Sequence, residues 1–169
     1  MNKQGITKIE VLIVALIIGL LGLMAVVAVS TARSRTRDAI RLSDVRQTQA
    51  ALELYFNDFN MYPEVATETA LGGASTICLG ESGFASACMA QSENVYMDVV
   101  PGTPTAGLNK LSGCSDVSNA YCYVGSVGEY RIQFELEHAN PLIELQKGLN
   151  CATESGIEPG QCSVIIASP

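Results

Sequence analysis

Hydrophobic and polar positions change their pattern three times along this 169-residue chain. Residues 11–32 contain no charge, and the run is bounded by Glu10 and Arg33. As a helix rising ~1.5 Å per residue it is roughly 33 Å long, enough to cross the hydrocarbon core of a bilayer. Beyond Arg33 the pattern becomes one-sided. Leu42, Val45, Gln49, Leu52, Phe56 and Phe59 recur at helical steps of three and four, an apolar stripe with one polar interruption. Arg41, Asp44, Gln47 and Glu53 fall on the opposite, polar side. Neither Pro nor Gly breaks this stretch before Asn57-Asp58-Phe59-Asn60-Met61-Tyr62-Pro63, where Asn, Asp and Pro are stop signals. The two patterns together predict one long helix over roughly residues 6–57, membrane-spanning first and amphipathic afterwards.

Residues 64–119 are rich in Gly, Ala, Ser and Thr with little periodicity, and are expected to be irregular, with a short helix at 86–91. A period of two returns at 121–125 and 129–137, which reads as a hairpin turning at Ser126-Val127-Gly128. In its second strand Tyr130, Ile132, Phe134 and Leu136 are expected to be buried. Glu129, Arg131, Gln133, Glu135 and Glu137 should form a wet face. Residues 163–167 form a candidate last strand. The predicted fold class is α+β, a long N-terminal helix lying on a small antiparallel sheet. The chain divides into a leader at 1–5, a membrane helix at 6–32, an amphipathic continuation at 33–62 and a head at 63–169.

Charge sharpens that division. Residues 1–50 hold seven Lys and Arg against three acids, whereas 51–169 hold three against 14. A head this acidic repels nucleic acid, so direct DNA binding is not expected of it. Arg33, Arg35, Arg37, Arg41 and Arg46 follow the apolar run and suit lipid headgroups, acidic faces of adjacent subunits or plain solvation. Six cysteines, Cys78, Cys88, Cys114, Cys122, Cys151 and Cys162, imply disulfides in an oxidising compartment, with sequential pairing expected because each bridge closes a short polar loop. Counting flanking Lys and Arg alone would put the head in the cytoplasm. The cysteines require the other side, and we follow them. Ala15, Gly19, Gly22 and Ala25 fall on one side of the apolar helix and would let a neighbouring helix approach closely.

The stretch Gly5-Ile6-Thr7-Lys8-Ile9-Glu10, running straight into the apolar helix, resembles the class III signal of type IV pilins and type II secretion pseudopilins. The likeness continues through RDAIRLSDVRQTQAALELYFNDFNMYP at residues 37–63 and returns at EYRIQFELE. It implies cleavage after Gly5 by prepilin peptidase, N-methylation of Ile6, and insertion of the precursor as a single-pass protein of the plasma membrane. It further implies polymerisation into a helical filament by an assembly platform with a cytoplasmic ATPase. Glu10 would neutralise the new ammonium at Ile6, within one subunit or between two. The sequence departs from the family pattern in Lys8, in Ile6 for the commoner Phe, in a span without proline and in the absence of a calcium-type loop. These departures bear on the branch: pilus, or pseudopilin of a secretion or DNA-uptake apparatus.

Two plainer readings remain open. Ser30-Thr31-Ala32 would serve as an ordinary signal-peptide cleavage site, though the apolar run exceeds the usual h-region. An anchored binding domain that never polymerises would explain the span and cysteines but leaves Glu10 without a role. Enzymatic function is not expected, and no cofactor or metal site is called for: His138 is the sole histidine, beside Asn140-Pro141, and reads as a surface residue.

Overall fold

A computed structural model describes residues 7–88, 94–103, 113–114 and 117–163. Helix α1 (Lys8–Phe59) is continuous for 52 residues, ~78 Å at the standard rise. Thr7 caps its start, accepting a hydrogen bond from the Glu10 backbone N–H at 3.3 Å. Asn60 ends it in the left-handed conformation at φ 53°, its N–H returning to the Phe56 carbonyl at 2.7 Å.

The strands follow in chain order: β1 (Val65–Ala70), β2 (Cys78–Gly80), β3 (Gly83–Ala85), β4 (Val95–Met97), β5 (Gly113–Cys114), β6 (Val117–Ser118), β7 (Cys122–Gly125), β8 (Tyr130–Leu136), β9 (Gly148–Thr153) and β10 (Gly156–Pro159). One 3-10 turn, Pro141–Ile143, links β8 to β9. An antiparallel five-stranded sheet runs β1-β7-β8-β9-β10, beside a three-stranded sheet β3-β2-β4 and the short β5-β6 ladder. The architecture is α+β, as the patterning predicts.

The second half of α1 crosses the sheet and forms the core with it. Val45, Leu52 and Tyr55 pack with Tyr121, Tyr123, Tyr130, Ile132 and Phe134 in one buried cluster. Aromatic rings carry the join at the helix end: Phe56 stacks on Tyr62 at 4.7 Å, and Tyr62 meets Tyr130 edge-on at 4.7 Å. Tyr123 donates its hydroxyl to the Pro63 carbonyl at 2.8 Å. Gly125 makes that bond sterically possible, because a Cβ there would collide with the Tyr123 ring and the Pro63 carbonyl. Gln49, the polar interruption of the stripe, bonds the Thr153 carbonyl at 2.8 Å and so ties α1 to β9.

The structure corrects several expectations. Gln133 and Glu135 are buried rather than wet, Glu135 completely. Strand β8 lies inside the sheet between β7 and β9, and Gln133 stands in register between Cys122 and Cys151. Two disulfide loops therefore sit on the face opposite Ile132 and Phe134, where solvent was expected. Glu137, past the strand end at a bend, is also largely buried, at 8% side-chain exposure. Arg41, expected on the polar side of the helix, is fully buried. Between 64 and 103 the chain forms β1 to β4 rather than irregular structure, and 86–88 is not helical; 89–91 lie outside the described residues. Strands β9 and β10 have no counterpart in the sequence reading. Ser163 is not in a strand, and 164–167 lie outside the described residues.

The cysteines pair sequentially: Cys78–Cys88, Cys114–Cys122 and Cys151–Cys162, with Cα separations of 6.0, 5.4 and 5.0 Å.

Candidate functional site

Among the described residues no cluster of His, Cys, Asp or Glu is placed to hold a metal ion. The features that stand out are instead one bare surface and one polar lock. Every described residue from Thr7 to Arg33 is exposed, so about half of α1 projects from the head as an apolar rod. Leu12, Leu16, Leu23, Val26 and Val27 each keep more than three-fifths of their surface open. An apolar surface of this extent needs lipid or protein around it. Ala15, Gly19, Gly22 and Ala25 all lie on the rod, and nothing approaches within 4 Å of a Cβ built at Gly19 or Gly22. Glu10 sits exposed in the first turn, at the edge of the uncharged run. The processing residues Gly5 and Ile6 lie outside the described residues.

Where α1 first enters the head, at Ser34, polar contacts take over. Arg37 grips Glu137 bidentately, Nε and a terminal nitrogen each donating to one carboxylate oxygen at 2.7 Å. Arg41 donates to Asp38 at 2.8 Å and to Glu137 at 2.9 Å. Asp38 in turn accepts the backbone N–H groups of Glu137 at 2.8 Å and His138 at 3.0 Å, with His138 Nδ1 at 3.1 Å. One helix face and the end of β8, about 100 residues apart in sequence, are thus cross-linked by charge. The Arg37 guanidinium holds the Glu137 carboxyl below its usual range, and Glu137 holds Arg37 above its own.

Arg37 and Arg41 are thus engaged within the chain, where they lock the head to its stem. Farther along, Tyr121 donates to Asp44 at 2.9 Å, while burial pushes the Asp44 carboxyl up. Tyr96 donates to Asp58 at 2.6 Å and is pushed up to about 12 by that bond.

The lock escaped the sequence reading. Its traces are the spacing Arg37-Asp38-Ala39-Ile40-Arg41, which puts three charges on one side of a helix, and an acid placed at a strand end. Arg35 and Arg46 are exposed, and among the described residues neither makes an ion pair. His138 lies at the surface, as expected, with 42% of its side chain open. No protein-family model, curated protein or solved structure matches the chain.

Proposed function

We propose that the chain is a structural, non-catalytic subunit of a type IV pilus-like filament. In this reading prepilin peptidase cuts after Gly5 on the cytoplasmic side and Ile6 is N-methylated. The precursor waits as a single-pass protein of the plasma membrane until an assembly platform, driven by a cytoplasmic ATPase, extracts it. The rods of many copies then exchange lipid for one another in the fibre core, and the acidic heads coat the outside at the cell surface. Contacts of one kind repeated without closure give a filament rather than a ring.

One observation carries this reading: a single unbroken helix whose first half is bare and apolar and whose second half is locked onto a disulfide-stapled head. A cleaved secretory signal gives no reason for helix continuity through the cleavage point. A plain membrane anchor gives no reason for a carboxylate at the edge of hydrocarbon, where an unpaired acid is disfavoured, though by less than the ~3 kcal/mol it costs at the bilayer centre. Pairing of Glu10 with the Ile6 ammonium of an adjacent copy supplies that reason. Three disulfides suit a fibre exposed outside the cell better than the pseudopilin alternative.

The test is the intact mass of protein extracted from membranes. Loss of residues 1–5 with one added methyl is expected. Loss of 32 residues would establish ordinary secretion and overturn the proposal.

A further inference from the structure

Beside the lock, a groove of about 890 Å³ runs along α1 from Arg35 to Ala50, walled on its far side by Leu136, Pro141 and Leu142. At ~100° per residue, Arg35, Ala39, Leu42, Arg46 and Ala50 fall within an ~80° strip of the helix, so both guanidiniums stand on the side where the turn after β8 projects. That turn is a stiff arm: Asn140 and Leu145 exchange two backbone hydrogen bonds at 2.8 and 3.1 Å, and the Asn140 side chain caps Leu142 N at 3.3 Å. The arm holds Leu142 out with 92% of its surface exposed, and Ile143 beside it is exposed too, although neither side chain gains anything from water. Arg35 and Arg46 are without carboxylate partners among the described residues. Asp38, which also lines the groove, is committed to Arg41, His138 and two backbone N–H groups. Exposed Glu144 and Lys147, past the tip, offset each other. This side is therefore basic, on a head whose residues 51–169 carry 14 acids against three bases.

Resting on the single-pass membrane reading above, and not on polymerisation, we propose that this side of the head docks on the bilayer its own rod spans. Leu142 lies among the lipid headgroups, and Arg35 and Arg46 are drawn to anionic lipid phosphates. Connectivity brings the surfaces together. Arg35 is three residues past Ala32, the end of the uncharged run, hence ~4.5 Å beyond the hydrocarbon and inside a headgroup layer ~5–7 Å deep. Leu42, at the groove's middle, is ten residues or ~15 Å past Ala32. An arm standing ~10 Å off the helix axis at that level comes down to ~7 Å from the hydrocarbon when the helix tilts ~35° toward it, within the range of spanning helices. The Leu142 side chain, projecting from the arm, then enters the headgroup layer. Arg46 stays higher, yet within a Debye length of the phosphates, ~8 Å at physiological salt.

Charge selects which side of the head comes down. No Lys or Arg occurs between Gln47 and Asn109, a stretch with seven acids that includes the far end of α1. An anionic surface repels that end and attracts the side bearing Arg35 and Arg46. An apolar tip beside basic side chains is the combination that holds a protein in the interfacial plane, the tip gaining from burial and the cations from the phosphates. Docking in this way covers Leu142 and fixes the tilt of the membrane-bound chain.

The full chain contains no tryptophan, so Leu142→Trp is a single fluorescent reporter at an exposed position. The purified chain is reconstituted in phosphatidylcholine–phosphatidylglycerol vesicles whose phosphatidylcholine carries bromine high on its acyl chains. Emission is expected to shift blue by about 10 nm and to fall roughly twofold on bromination, as for a side chain held at the headgroup boundary. Val127→Trp, at the far end of the head where the Val127 carbonyl accepts from Tyr62 N–H at 3.3 Å, is expected to do neither. Adding Arg35→Glu and Arg46→Glu to Leu142→Trp, or omitting phosphatidylglycerol, should remove most of the quenching, because each cation near an anionic surface contributes about 1 kcal/mol, roughly fivefold. Arg35→Lys with Arg46→Lys should retain it. Water-like, unquenched emission from Leu142→Trp in chain that floats with the vesicles would overturn the docking surface and leave the membrane reading standing. Quenching that ignores both the charge reversal and the lipid charge, or that is equal at Val127→Trp, would overturn it too. Chain that fails to float with the vesicles would bring down both.

Discussion

Residues 8–33 and 34–59 belong to one helix, yet the two halves are built on opposite principles. The first presents leucine, isoleucine and valine on every side and is exposed along its whole described length. The second buries one stripe against the sheet and ties Arg37, Asp44 and Glu53 to Glu137, Tyr121 and Tyr62. A helix that is apolar all round is stable only when its surroundings are apolar too, whereas a one-sided helix brings its own shelter with it. Folding of the head and covering of the rod are therefore separable events, and substitutions should sort cleanly between them.

The sharpest break is expected at Glu10. Glu10→Val should abolish fibres while the protein remains in the membrane, and the unfolding midpoint of the head should not move. A fall in that midpoint would show that the halves are coupled. Leu52→Ala should do the reverse, leaving membrane insertion intact but destabilising the head by about 3 kcal/mol, read by urea unfolding of the detergent-solubilised chain. Replacing Cys151 and Cys162 together by Ser opens a loop of sequence separation 11 and should cost about 2–3 kcal/mol in the same measurement.

Glu137→Gln should cost about 2 kcal/mol, since Arg37 and Arg41 lose their shared acceptor charge. It should also change the response to acid. The Glu137 carboxyl is held below its ordinary 4.5, so its stabilisation is complete above that value and lost as pH falls through the depressed folded value. Asp44 works in the opposite direction: its carboxyl is raised by burial, so protonation relieves a cost and stability rises as pH falls through that region. Wild-type acid unfolding should therefore be shallower than Glu137 alone dictates, steeper in Asp44→Asn, and flatter in Glu137→Gln. Smallest of all, Val127→Ser in the exposed β7–β8 turn should change stability by less than about 0.5 kcal/mol.

Both halves of the helix were legible because each has a strong local period. The hairpin of β7 and β8 was legible for the same reason, with a two-residue alternation in place of the helical one. The sequence could not show that β8 is flanked on both edges and covered on its second face, which is why Gln133 and Glu135 read as wet. Strand β9, Gly-Leu-Asn-Cys-Ala-Thr, mixes small and polar residues and is defined by its pairing with β8 rather than by its own pattern. Asn150 is fully buried there because its side chain bonds the Gln146 and Gly148 carbonyls at 2.9 and 3.0 Å. The lock around Glu137 and the groove along 35–50 join positions about 100 residues apart, and no local window contains both sides. Glu10, by contrast, was singled out by its place at the edge of the uncharged run.

The central claim, that the bare rod is covered by copies of itself, is tested most directly by shearing cells that express the full chain and imaging the released material by electron microscopy. Fibres composed of this chain, with helices at the axis and heads outside, are the predicted result. Mature protein found only as a monomer in the membrane fraction, with no fibres released, would contradict it.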